Sequence, residues 1–325
     1  MKSEYQEIQR ARAVKLIQDK SPIFYGGVGG KLFMRANRDF VLTDFNKNFY
    51  EKIKDEAIEY FAKNDIAWWG GKNPTGHVLS SQIACINHLY AIRNDKDAVM
   101  GLLKNISADF VDVYEIKTDK YLSAFIQFES VSDNDYLNEG QSTRGSNCTS
   151  VDALIYAKHK DKTNWLIPIE WKFTEFYENL DKAIEGFKSN PEKCKGKERQ
   201  RRYTDLINNS NQLISENHYC YYFEPFYQLM RQTLWAEQMV VNKEKETIKA
   251  DNFLHIHIIP SDNFDLLEKN YKCSGKNMKS TWTSHLKNKD KYVIVSPKDF
   301  LSNLDSEKYK DLISYLQKRY WNENQ

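Results

Sequence analysis

The sequence predicts an α/β fold: a mixed central sheet flanked by helices, with a mainly helical elaboration at the N-terminal end. Three observations carry this. Hydrophobic periodicity is helical up to about residue 107 and alternates beyond it. Three consecutive segments, 121–129, 149–157 and 164–173, then read as strands. Helical and strand patterns follow in turn, with no repeat, low-complexity linker or break in composition. The expectation is one domain over 1–325, with an elaboration over 1–77, a core over 78–260 and a C-terminal extension over 261–325 packed on that core.

The elements follow in order. Residues 3–19 read as an amphipathic helix through Ile8, Ala11, Val14, Leu16 and Ile17. The run Gly26-Gly27-Val28-Gly29-Gly30-Lys31 invites a phosphate-loop reading but fails it. Tyr25 stands where the first glycine belongs, and Leu32 where Ser or Thr must follow the lysine. A glycine-rich turn is the expectation. Helices are predicted over 47–63 and 80–92, the second opened by Ser80 and carrying Ile83, Ile86, Leu89 and Tyr90. After the three strands, helices are expected over 176–188 and 227–241 and strands over 253–259 and 292–296. A helix over 306–319 closes the chain.

Composition sets bounds. At 41% hydrophobic and 28% charged residues, the 325-residue chain can bury a large core. The 14% aromatic content fits an α/β core as readily as base stacking. A formal net charge of +2 gives no strong overall field, so any nucleic-acid signal must be local. Five scattered cysteines without a C-x-x-C pair imply neither zinc nor a disulfide framework. No apolar run reaches the roughly 20 residues a bilayer span needs. A soluble, cytoplasmic protein is the expectation.

Register supplies the sharpest signal. A hairpin centred on Asp161 places Asp152 opposite Glu170, each nine residues from the centre. Directly opposed residues share a face, with Cβ atoms about 4.5–5.5 Å apart. Lys172 lies two residues beyond Glu170 and shares that face. The other face is apolar throughout: Val151, Ala153, Ile155 and Ala157 against Trp165, Ile167, Ile169, Trp171 and Phe173. In the preceding strand Leu122, Ala124, Ile126 and Phe128 are the apolar side, which sends Glu129 toward the same polar cluster. Three carboxylates and one ammonium grouped at a sheet end repel unless a cation sits among them. Mg²⁺ suits oxygen ligands of this kind, and Mn²⁺ is an expected substitute. Pro168, inside the third strand, predicts an edge or a bulge there.

Asp152, followed 18 positions later by Glu170-Trp171-Lys172, resembles the D…(D/E)-x-K signature of the PD-(D/E)XK, or restriction-endonuclease-like, nucleases. The hydrophobic run Trp165–Ile169 is similar to their third core strand, and the layout resembles their α-β-β-β-α-β core. Ser80-Ser81-Gln82 and Tyr227-Gln228-Leu229-Met230-Arg231 resemble a family of bacterial restriction endonucleases. Val151 stands where proline often precedes the first acid. The resemblance implies hydrolysis of DNA phosphodiester bonds, double-stranded DNA being favoured, by an endonuclease of restriction or defence type. Asp152, Glu170, the Trp171 carbonyl and Glu129 would hold the metal, Lys172 would orient a water or balance charge, and Gln82 would contact a phosphate or water. An exonuclease or repair nuclease of the same fold, and a non-catalytic nucleic-acid-binding protein, are the competing readings. Cutting both strands generally takes two sites, so a homodimer is compatible with it, although no segment announces an interface.

Other features have ordinary readings beside functional ones. His255 and His257 alternate on one strand without a third ligand nearby and read as strand histidines. The basic run from Lys182 to Arg202 is either a solvated loop or a track for a phosphate backbone. Trp68 and Trp69 read as loop anchors or base-stacking residues. Arg231 and Gln228 lie on a helix expected beside the sheet.

Overall fold

The computed structural model describes residues 3–69, 71–117, 123–140, 148–189, 193–217 and 219–321. Helix α1 (Glu4–Gln18) is capped by Ser3, whose hydroxyl accepts from Gln6 N at 3.0 Å. Its rotation is set by Asp265, which accepts from Ser3 Oγ and Tyr5 N at 2.8 and 3.0 Å. The buried stripe is therefore Tyr5, Gln9, Ala13 and Ile17, and the expected Ile8 and Ala11 face solvent. The glycine-rich stretch leads into a hairpin, β1 (Lys31–Phe33) and β2 (Ala36–Arg38). Met34 and Arg35 make its turn in the left-handed region, as a two-residue hairpin loop requires.

Helix α2 spans Lys54–Lys63, shorter than the predicted 47–63, because two 3-10 turns occupy Phe45–Asn48 and Glu51–Ile53. Helix α3 (Ser81–Leu89) starts at Ser80 as expected and continues into a 3-10 turn over Tyr90–Ile92. Helix α4 (Lys96–Lys104) and strand β3 (Phe110–Tyr114) were not anticipated. The predicted strand 121–129 is β4 (Ile126–Ser130); part of the expected span lies outside the described residues. Strands β5 (Val151–His159) and β6 (Asn164–Trp171) match their expectations.

The predicted helix over 176–188 is absent. Only a 3-10 turn over Lys182–Ile184 forms there, and Leu180, Ile184 and Phe187 stay exposed, so no partner face rewards a helical stripe. A helix forms instead in the basic run: α5 (Lys195–Asn208), which buries Tyr203 and Ile207. Helix α6 (Phe226–Val241) precedes β7 (Asn252–Phe253) and β8 (His255–Ile258), one expected strand broken at Leu254. Two short helices, α7 (Phe264–Leu267) and α8 (Met278–Thr283), lead to β9 (Tyr292–Val295), the single turn α9 (Pro297–Phe300) and α10 (Lys310–Arg319). A disulfide joins Cys220 to Cys273, a pairing across 53 residues that the scattered cysteines do not announce.

The strands other than β1 and β2 form one mixed sheet, ordered β3-β5-β6-β8-β9, with β4 beside β5 and β7 beside β6. The pairs β3–β5, β4–β5 and β5–β6 are antiparallel, and β6–β8 and β8–β9 are parallel. The β5–β6 register runs from Ala153↔Ile169 to Lys158↔Asn164, centred on Asp161. Pro168 lies in a central strand, not on an edge. The parallel ladder on β6 jumps from Leu166↔Phe253 to Ile169↔Ile256, so the residue that cannot donate stands opposite the break.

Both faces of the sheet are covered. Ala153, Ile155, Ile167, Ile169 and Trp171 meet Ile83 and Ile86 of α3 and Leu312 and Leu316 of α10. On the other face Leu154 and Leu166 meet Met230, Leu234 and Trp235 of α6. Val151 belongs to this second core, against expectation. The β4–β5 register is unbroken there, from Phe128↔Ala153 to Ser130↔Val151, with Glu129 between them at φ 50. Among the described residues no helix is long and apolar enough to cross a membrane.

Candidate active site

The carboxylates expected to cluster come from the ends of three adjacent strands. Asp152 and Glu170 extend the β5–β6 register by one pair, and Glu129 lies opposite Asp152 on β4. Asp152 accepts the Trp171 backbone N–H at 2.7 Å. Lys172 continues β6, its N–H donating to Ile258 O at 2.8 Å, and its side chain returns to the α6 side of the sheet. There Nζ donates to Glu170 Oε1 at 2.5 Å and to Gln228 Oε1 of α6 at 2.6 Å. Glu170 and Lys172 are 2% and 4% exposed, so this is a buried ion pair whose remaining partners decide whether it is tolerated.

Gln232 is such a partner. It lies one turn after Gln228 on α6 and donates to Glu170 Oε2 and, at 3.3 Å, to Ser150 O. The sequence carried a usable signal, since two glutamines four apart share a helix face. Gln82, at the start of α3, donates to Glu129 Oε1 at 2.7 Å and accepts from Trp69 N at 2.8 Å. Ser150 Oγ donates to Glu129 Oε2 at 3.2 Å. Replacing Gln232 by leucine leaves Glu170 Oε2 without this buried donor. The expected cost is about 1–3 kcal/mol, read as a lower urea midpoint at unchanged slope.

Electrostatics record the crowding. Burial, then Glu170 and Glu129, push the Asp152 carboxyl well above the usual range, against the pull of Lys172 and the Trp171 N–H. Burial opposes the Lys172 ammonium, but Glu170, Tyr177, Glu175 and Asp152 outweigh it and hold its pKa well above the ordinary lysine value. The carboxylates do not form a ready-made cage. Among the described residues no three His, Cys, Asp or Glu side chains are arranged to hold a metal ion. Glu170 is turned to Lys172 and Gln232, and Glu129 to Gln82 and Ser150. The donor set is nonetheless hard oxygen, and the repulsion that raises Asp152 is what a cation would relieve.

These residues open into a cleft of about 940 Å³ that Gln82, Glu129, Asp152, Glu170, Lys172 and Gln228 help to line. Arg10, Arg38, Phe33, Met34 and Trp69 stand along its walls. The two tryptophans have parted company. Trp68 is buried and stacks on Phe61 at 3.8 Å, whereas Trp69 is 48% exposed in the cleft. Arg231 does not reach the cleft; its guanidinium binds Glu139 Oε1 at 2.9–3.0 Å. His255 and His257 are buried in β8, and His257 Nδ1 is 3.0 Å from the Tyr292 hydroxyl. Burial first, then Lys172, lowers His255 to about 3, so it is neutral at pH 7.

Residues 10–321 match the family described as restriction endonuclease associating with ARP. The chain belongs to that family. Comparison with curated proteins and with solved structures gives no match. The match spans nearly the whole chain and takes in every residue of the cleft named above.

Proposed function

We propose that this chain is a Mg²⁺-dependent nuclease that hydrolyses DNA phosphodiester bonds, acting as an endonuclease of restriction or defence type. The observation that carries the reading is the convergence of Asp152, Glu170 and Lys172 on one face at the end of β5–β6, beside a cleft. The succession α3, β4, β5, β6, α6, β8 supports a restriction-endonuclease-like core.

Asp152 and Glu170 would hold the ion, with the Trp171 carbonyl and Glu129 completing its oxygen shell. When bound, Mg²⁺ supplies a charge that stabilises the scissile phosphate and makes water a better nucleophile. Glu170 would turn from Gln232 toward the cleft. Lys172, tethered by Gln228, would present its ammonium to the attacking water or to negative charge growing on the phosphate. Gln82 would orient Glu129 through their hydrogen bond and meet a phosphate oxygen. Arg10, Arg38 and Trp69 would contact the nucleic acid at the mouth, by charge and by stacking.

Ion binding has a readout independent of turnover. A ligand that binds only the folded state stabilises it by about 2.7 kcal/mol at a hundredfold excess over Kd. Mg²⁺ should therefore raise Tm in the wild type and leave Asp152→Asn unmoved. An equal rise in both would remove Asp152 from the ion site. Cutting of closed circular DNA separates an endonuclease from an exonuclease, which needs an end.

A further inference from the structure

A second groove, of about 930 Å³, lies between α5 and the start of α6. Lys195, Lys197, Arg199, Arg201 and Arg202 of α5 line it with Arg231 of α6, and Lys182 and Lys193 complete its wall. Among the described residues, these eight cationic side chains stand against four carboxylates: Glu198 and Glu224 in the groove, and Glu185 and Glu139, which pair with Arg199 and Arg231. The local excess is thus larger than the +2 of the entire chain. Such concentration on one face is what a polyanion selects, while a merely solvated helix intersperses the signs.

The groove is also built. Gly196 seats the first turn of α5 on the 182–184 turn, where a Cβ would stand 1.9 Å from Ala183 O. Gly196 N donates to Glu185 O at 3.0 Å, and Arg199 donates to Lys182 O at 3.1 Å. The cations are therefore presented from a fixed helix. Consecutive residues of α6 line the groove and the acidic cleft: Tyr227 the first, and Gln228, which holds Lys172, the second.

We infer that this groove is a nucleic-acid exosite that grips the phosphate backbone of duplex flanking the cut, without reading sequence. Its position rests on the nuclease reading of the cleft; its charge does not. An acidic protein segment would satisfy the charge equally, but a groove lined by the same helix as the cleft favours the ligand the cleft takes.

The test is fluorescence anisotropy with a labelled DNA duplex in EDTA over a series of salt concentrations, using the full chain. Each phosphate contact adds roughly 0.9 to the slope of log K against log salt. Replacing Lys195, Lys197 and Arg201 together by glutamine should lower the slope by about 2–3 and weaken binding at least tenfold near 0.1 M salt. Replacing Lys195 and Lys197 by arginine should preserve both. An unchanged slope in the glutamine variant, with its Tm intact, overturns the exosite. So does retained duplex affinity combined with loss of binding to a polyglutamate peptide, which would mark a protein-docking surface. The nuclease reading fails separately. A wild type that binds duplex through the groove yet cuts nothing in Mg²⁺ keeps the exosite and removes the nuclease, and normal cutting with an unaltered slope does the reverse.

Discussion

Replacing Lys172 by methionine is expected to slow DNA cleavage by about 10²–10³-fold, the usual loss when one preorganised donor to a transition-state charge is removed. Methionine keeps much of the apolar stem but leaves Glu170 buried without its cation. Breaking a buried pair on one side costs about 3–5 kcal/mol, so the variant should also be less stable. The two effects need separating. Pairing Lys172→Met with Glu170→Gln removes both charges and should recover much of the lost stability, because Gln232 and a neutral amide can share hydrogen bonds. It should recover no activity. Recovery of cutting in that double variant would mean that neither Lys172 nor Glu170 takes part in the chemistry.

Asp152→Asn should abolish cleavage and, without metal, make the protein more stable at neutral pH. Burial and the neighbouring Glu170 and Glu129 raise the Asp152 pKa in the folded state above its unfolded value. The folded state then binds more protons than the unfolded one, and stability falls as pH rises from the unfolded pKa, about 4, through the raised folded value. Asparagine can still accept the Trp171 N–H and carries no charge to lose. The gain in Tm should be present at pH 7, shrink on acidification, and vanish below about pH 4, where Asp152 is protonated in both states. Differential scanning calorimetry across that range gives the answer. A variant less stable than the wild type at pH 7 would contradict the electrostatic description of the site.

The local parts of this site were open to sequence reasoning because they depend on strand periodicity and one turn. The β5–β6 register follows from a polar turn at Lys158–Thr163, in which Asp161 Oδ1 accepts from Thr163 N at 2.9 Å and Lys162 takes the left-handed conformation. Period two then fixes Asp152, Glu170 and Lys172 on one face. What that reasoning could not reach is tertiary. Gln232 and Glu170 are 62 residues apart, and only the packing of α6 on the sheet joins them. Helix α5 was masked by its own charge, since its buried face is little more than Tyr203 and Ile207. The expected helix over 176–188 failed for the opposite reason: its apolar residues had periodicity but no surface to bury against. Val151 shows a third limit. It joins the core on the α6 side, beside a Glu129 in the left-handed conformation that period two does not foresee. The carboxylates likewise turn to amide, hydroxyl and ammonium partners, which no spacing rule foresees.

The most direct test is incubation of supercoiled plasmid with the purified chain in Mg²⁺, in EDTA, and in Mg²⁺ with Lys172→Met. Nicked or linear product that requires the metal and disappears in the variant is the predicted result. Supercoiled DNA left intact by a folded wild type in Mg²⁺, or cut equally well by Lys172→Met, would contradict the assignment of this cleft as a nuclease site.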